Sequence, residues 1–300
     1  LGACVALVKP GQADPAVRAL ATIAFCGALF HTINHACFKS LLFLSAGSLL
    51  KSTGTQDLGR LGGLIRHMPV TAAVTLIASA AIAGVPLTSG FASKWFLYVA
   101  ALLAGRSEPG LALAAVFAIL TSALTLACFV SFFGAAFLAR PSRLVNEKAA
   151  AGPLESGWLM LLPQLALALV TLGLGLFPLR VFQFIQRALL TGSDGLASLL
   201  TSPVARAHIA RCPYTCLETA GAQALLAPLV IGVLLVLLLA LAYGIMRLGG
   251  VARRASEPWL CGYAREHESN RYGARHLYGE FKKLFDWVGG DPRPDGDHHA

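Results

Sequence analysis

The stretch Leu29–Leu50, LFHTINHACFKSLLFLSAGSLL, places two histidines and a lysine in a run that is otherwise apolar or small. From Ala19 to Leu50 the only acidic or basic residues are His31, His35 and Lys39. Crossing the hydrocarbon core of a bilayer takes about 20 apolar residues, so the run is long enough to span a membrane. Composition decides in favour of that reading. Hydrophobic residues make up 56% of the chain and charged residues 13%, with a mean hydropathy of +0.67. A soluble domain carries about 25% charged residues. Further charge-free runs cover Gly110–Ala139, Ser156–Leu179 and Thr219–Met246. Another extends from Met68 to Gly105, interrupted only by Lys94. The expected fold is an all-α polytopic transmembrane helical bundle with spans at about 17–50, 68–105, 110–139, 156–180 and 219–247. These form a transmembrane domain over 1–248, and 249–300 is a cytoplasmic tail.

Short loops rich in lysine and arginine stay on the cytoplasmic side. Lys51, Arg60 and Arg66 follow the first span, Arg140, Arg143 and Lys148 the third, and Arg247, Arg253 and Arg254 the last. Five alternating spans bring all three groups to one side and leave the C-terminus cytoplasmic. The net charge of +9 is then a signature of membrane orientation, and nothing in the chain resembles a nucleic-acid-binding module. The opening LGACVALVKP has no basic segment and no small-residue cleavage site, so it does not read as a signal peptide. It reads as the end of another span, and the chain as the C-terminal portion of a longer protein.

His31, His35 and Lys39 are spaced i, i+4, i+8 and form one stripe on a helix. A lysine at mid-bilayer costs about 2.5–3.5 kcal/mol on insertion scales, and Lys39 lies well inside its apolar run. Two core histidines with a lysine reaching the headgroups would satisfy the same pattern. The alternative is a line of proton-exchanging groups facing a hydrated bundle interior. Histidine changes charge near neutral pH, and an amine taken out of water loses its proton more readily than one in solution.

A second feature is Ala81–Tyr98, AIAGVPLTSGFASKWFLY. Pro86 removes a backbone donor and clashes with the preceding turn, while Gly84 and Gly90 tolerate backbone angles that other residues resist. A helix broken near mid-membrane follows, with Thr88, Ser89 and Ser93 available to satisfy the freed groups. Such backbone survives only beside protein or water. Lys94 comes next, expected in the first turn of the second half-helix, where the helix dipole disfavours a cation. A proline kink with an interfacial lysine is the plainer reading.

HTINHACFKSLLFLSAGS followed by AGVPLTSGFASKWFLY resembles the second half of the proton-pumping, antiporter-like membrane subunits of respiratory complex I. That family includes membrane subunits of formate hydrogenlyase and hydrogenase-4, and the Mrp-type cation/proton antiporters. The resemblance implies proton-relay roles for His31, His35, Lys39 and Lys94, with Gly84, Pro86, Thr88, Ser89, Gly90 and Ser93 forming the helix break. It implies that the chain binds no cofactor itself. Iron–sulfur clusters and a nickel-iron site or flavin would lie in partner subunits, and the partners would be other membrane subunits and a soluble redox arm. It also implies a bacterial or archaeal cell membrane. The tail Glu257–Trp287 is similar to the ends of the hydrogenase-4 component B and formate hydrogenlyase subunit 3 members. Leu277, Phe281, Leu284, Phe285 and Val288 recur there at helical spacing, as expected of an amphipathic surface helix.

Cys4, Cys26, Cys37 and Cys128 lie in apolar runs and read as small hydrophobes. Cys261 has no second ligand at metal-binding spacing. Cys212 and Cys216 fall on the expected periplasmic side, where a disulfide could persist or the thiols could stay free. The function expected is that of a proton-translocating membrane subunit of a multi-subunit oxidoreductase. The alternative is a component of a Mrp-type cation/proton antiporter. A mainly structural role is a third reading, against which the intramembrane lysines argue.

Overall fold

The computed structural model describes residues 15–106, 108–192, 215–219, 222–226 and 228–249. Its longest element is α1, Pro15–Thr53. A proline in the first turn suits a helix start because its missing N–H would have had no partner there. At 1.5 Å per residue α1 is about 58 Å long, well beyond the thickness of the hydrocarbon core. It is the axis of the bundle, packing against α2 (Pro69–Ala83), α3 (Ser89–Ala104), α6 (Trp158–Leu176) and α7 (Pro178–Gly192).

Three apolar clusters line that axis. Near the start of α1, Cys26 and Phe30 pack with Phe96 and Ala100 of α3 and with Phe182 and Ile185 of α7, and the Phe96 and Phe182 rings lie 4.8 Å apart. Midway, Leu41 meets Val74 and Ala78 of α2 and Ala168 of α6. At the far end, Leu49 joins Leu64, Met68 and Ala72 with Phe133 and Phe137. Phe133 ends α4 (Pro109–Phe133), which continues into a π-helical turn at Gly134–Leu138. The short α5 (Arg143–Ala151) follows, its Ser142 cap accepting the Val145 N–H.

The start of α2 is capped from a distance. The Glu155 carboxylate accepts the Val70 N–H at 2.8 Å and the Thr71 N–H at 3.4 Å, and also takes the Thr71 hydroxyl proton. A negative group is favourable at a helix N-terminus, where amides point outward without intrahelical partners.

Among the described residues, four helices are long and apolar enough to cross a membrane: Leu20–Thr53, Pro109–Leu138, Trp158–Leu176 and Val230–Leu248. The shorter α2 and α3 are apolar and follow each other, divided at residues 84–88. On α4, Leu113, Val116, Phe117, Leu120, Leu124 and Val130 are all more than half exposed. Large apolar side chains turned outward along a whole helix mark a membrane surface. This is a membrane protein with an all-α bundle.

Two boundaries differ from those read in the sequence. The run expected to span 156–180 is divided, α6 ending at Leu176 and α7 starting at Pro178. The run expected to span 219–247 begins as sheet. Thr215–Thr219 (β1) pairs antiparallel with Ala222–Leu226 (β2), and the helix, α8, runs from Pro228 to Leu248. Absence of charge marks a segment as apolar but does not distinguish strand from helix. The tail with its expected amphipathic helix, and Cys212, lie outside the described residues.

Candidate functional site

Helical structure stops at Ala83, with Gly84 in the left-handed region at φ +81°, and resumes at Ser89. Between them the Thr88 N–H donates to the Val85 carbonyl at 3.2 Å and the Thr88 hydroxyl donates to the same oxygen at 2.6 Å. Pro86 fills the second position of this turn and Leu87, at φ +75°, the third. That is the pattern of a type II turn, whose third position ordinarily takes glycine or asparagine. A leucine held there costs about 1–3 kcal/mol and persists only where its surroundings enforce it. They do so here: Gly175 of α6 lies so close that a Cβ on it would overlap the Leu87 carbonyl and the Ser89 amide. At Gly90 a Cβ would overlap the Ala81 carbonyl. The last turn of α2 and the first of α3 therefore lie against one another at the break.

Lys94 is the sixth residue of α3, not a first-turn residue. Its Nζ donates to the Ile82 carbonyl at 2.9 Å. Ile82 belongs to the last turn of α2, where carbonyls lack intrahelical partners and the helix dipole is negative. The end of α2 thus favours this ammonium, a contribution not expected from the sequence. The reason is that helical side chains lean toward their own N-terminus, so a lysine in the second turn reaches back across the break. Lys94 is half-buried.

From α1, His31 comes to the same place. Its Nδ1 lies 2.9 Å from the hydroxyl of Ser93, which is fully buried. One turn on, Asn34 is also fully buried and its Nδ2 donates to the Ser89 carbonyl at 2.8 Å. Two hydrogen bonds thus tie α1 to the start of α3. Asn34 Oδ1 and Ser89 Oγ are buried without a protein partner, and a buried polar atom of that kind is a position for water.

The rest of the stripe goes elsewhere. The His35 ring lies 6.2 Å from that of His31, and Phe38 packs edge-on to it at 5.4 Å. Lys39 holds its Nζ 5.6 Å above the Phe43 ring. His35 is exposed and Lys39 half-buried, on a side of α1 that the described residues leave open. Of the four expected relay residues, the structure brings His31 and Lys94 to the break and leaves His35 and Lys39 along α1.

Asn34 and Gln164 were not singled out in the sequence. Gln164 of α6 is fully buried and donates to the Ser48 hydroxyl at 2.8 Å and the Met160 carbonyl at 2.9 Å, while Ser45 donates to its Oε1 at 3.4 Å. The spacing Asn34, Ser45, Ser48 along α1 was the available signal. Among the described residues no group of three or more His, Cys, Asp or Glu is arranged to hold a metal ion.

Comparison with known proteins agrees with this architecture. Hydrogenase-4 component B of Escherichia coli K12 is 37% identical over 150 residues, covering 48% of this chain and 22% of that protein. Formate hydrogenlyase subunit 3 of the same organism is 36% identical over 141 residues, covering 45% and 23%. A component of a probable K(+)/H(+) antiporter of Rhizobium meliloti is 49% identical over 80 residues, covering 27% and 8%. The chain thus spans less than a quarter of the length of each. Among solved structures, a chain of the membrane-bound sulfane sulfur reductase, an archaeal respiratory membrane complex, superposes with a TM-score of 0.66 at 22% identity. That match covers 93% of this chain and 41% of the other and shows a shared fold. The match to the NADH:quinone oxidoreductase/Mrp antiporter transmembrane family runs over residues 16–133, from the first turn of α1 to the end of α4. The matched residues hold both the histidine stripe and the helix break.

Proposed function

We propose that this chain is part of a proton-translocating membrane subunit of a multi-subunit respiratory oxidoreductase. One observation carries the reading: an intramembrane lysine at a helix break, bonded to a free helix-end carbonyl, with a histidine from α1 hydrogen-bonded to the residue beside it. Broken helices beside polar side chains serve as ion sites in membrane transporters because they expose helix ends and free backbone at mid-membrane. Lys94 exchanges protons at the break. His31 and His35 pass them along α1, and Lys39 connects to groups on its open side. Other membrane subunits meet that side, and a soluble arm with iron–sulfur clusters and a nickel-iron site or flavin supplies electrons. The membrane is a bacterial or archaeal cell membrane and the C-terminus is cytoplasmic.

A second reading, a component of a monovalent cation/proton antiporter, draws support from the 49% identity to the Rhizobium meliloti relative. The experiment that separates them uses the complete complex in sealed vesicles. Redox-driven proton uptake without added sodium or potassium is the expected result, and Lys39→Ala should abolish it. Proton movement that occurs only under an imposed sodium or potassium gradient would overturn the first reading in favour of the second.

A further inference from the structure

We propose that Ser93 is a positioning residue for His31: its hydroxyl turns between the imidazole and the backbone of its own helix, so that His31 changes charge without either helix moving. The inference rests on the proton-transfer reading above. The Ser93 Oγ lies 2.9 Å from His31 Nδ1, 3.1 Å from the Ser89 carbonyl and 3.3 Å from the Gly90 carbonyl. A hydroxyl has one proton and two lone pairs, so three neighbours compete for a single donated hydrogen. When His31 is an imidazolium both ring nitrogens are donors. Nδ1–H then donates to Ser93, and the serine proton points at Ser89 or Gly90. When Nδ1 has lost its proton, the serine O–H donates to it instead. The change is a rotation about the Cβ–Oγ bond, and all three heavy-atom distances stay as they are.

Two features keep the hydroxyl free to turn. The Ser89 carbonyl also accepts from Asn34 at 2.8 Å, closer than the serine at 3.1 Å, so the serine shares that oxygen through the longer of the two bonds. Bonding from a helical serine to carbonyls three and four residues back is ordinary and leaves the helix intact. Ser93 is fully buried, so bulk water does not replace it as a partner. The other titratable groups acting on His31 are His35 on its own helix and Lys94 on α3. Neither is bonded to its Nδ1, which faces Ser93.

The test uses the complete complex in vesicles, with redox-driven proton uptake and the ¹⁵N ring resonances of His31 as readouts and His35 as the internal control. Ser93→Ala should cut uptake about tenfold, the effect of one hydrogen bond to a charged group. It should move the His31 resonances and leave those of His35 in place. Ser93→Cys is close in shape but supplies only a weak donor, and should behave like the alanine variant. Ser93→Thr restores a hydroxyl and should return uptake to within about twofold of the parent. Uptake by Ser93→Ala or Ser93→Cys equal to the parent, or a threonine variant as impaired as alanine, overturns the role of Ser93. A parent complex that takes up no protons overturns the proton-transfer reading, and this inference with it.

Discussion

Lys94 and Glu155 hold the two ends of the same half-helix. The carboxylate accepts amides in the first turn of α2, and the ammonium donates to a carbonyl in its last turn. Both charges complement the dipole of a 15-residue helix that tertiary packing must keep straight against α1. Glu155→Ala should therefore lower the stability of the detergent-solubilised protein by about 1–2 kcal/mol, read as a fall in unfolding midpoint. Glu155→Gln, which still accepts hydrogen bonds, should lose less. Equal midpoints for Glu155→Ala and the parent would show that the cap contributes nothing. At Leu87 the positive φ sets asparagine against alanine. Asparagine tolerates that region, so Leu87→Asn should be less destabilising than Leu87→Ala, although it removes more apolar character. The same unfolding measurement checks the order.

At the scale of elements, the break is a tertiary construction as much as a sequence motif. Gly84, Pro86 and Gly90 were legible as a helix interruption because proline and glycine act locally. The direction of Lys94 was misjudged because first-turn placement was inferred from the motif, while the helix starts earlier, at Ser89. The lean of helical side chains was the missing argument. Asn34, Ser93 and Gln164 went unnoticed as partners because their bonds join residues 55 to 119 positions apart, and no local period encodes such a pairing. Buried amides and hydroxyls between membrane helices average about 0.6 kcal/mol each, with a maximum near 1.7. Gln164→Leu, which removes both donors to Ser48 and Met160, should loosen α6 from α1 by an amount in that range. Thermal unfolding in detergent measures it. Gly90→Val should be more damaging to function than to expression, since a side chain there pushes the α2 end and α3 start apart. Proton uptake per assembled complex is the readout.

At the scale of the molecule, composition together with the long apolar runs was enough to read a helical membrane protein. Long apolar runs located the regions in which α1, α4, α6 and α8 form. They failed at Ala222–Leu226, which pair as a strand with Thr215–Thr219, and at Phe177, where one run became two helices. Sidedness rests on lysine and arginine in the short loops. Reporter fusions after Arg66, Lys148 and Arg254 should all report the cytoplasm, and a periplasmic signal from any of them would reverse the proposed orientation. The bundle also explains the uneven fate of the stripe. α1 presents His31 to the break and leaves His35 and Lys39 open, as a helix shared with further membrane segments would.

The central claim is that Lys94 carries protons across the break, and the most direct measurement is the ratio of protons taken up to electrons transferred in vesicles containing the complete complex. With Lys94→Ala, assembly and electron transfer should persist while proton uptake falls to the level of an uncoupled control. Lys94→Glu, which keeps a titratable group at the break, should retain part of it. A Lys94→Ala complex that takes up protons at the parental rate and ratio would contradict the account.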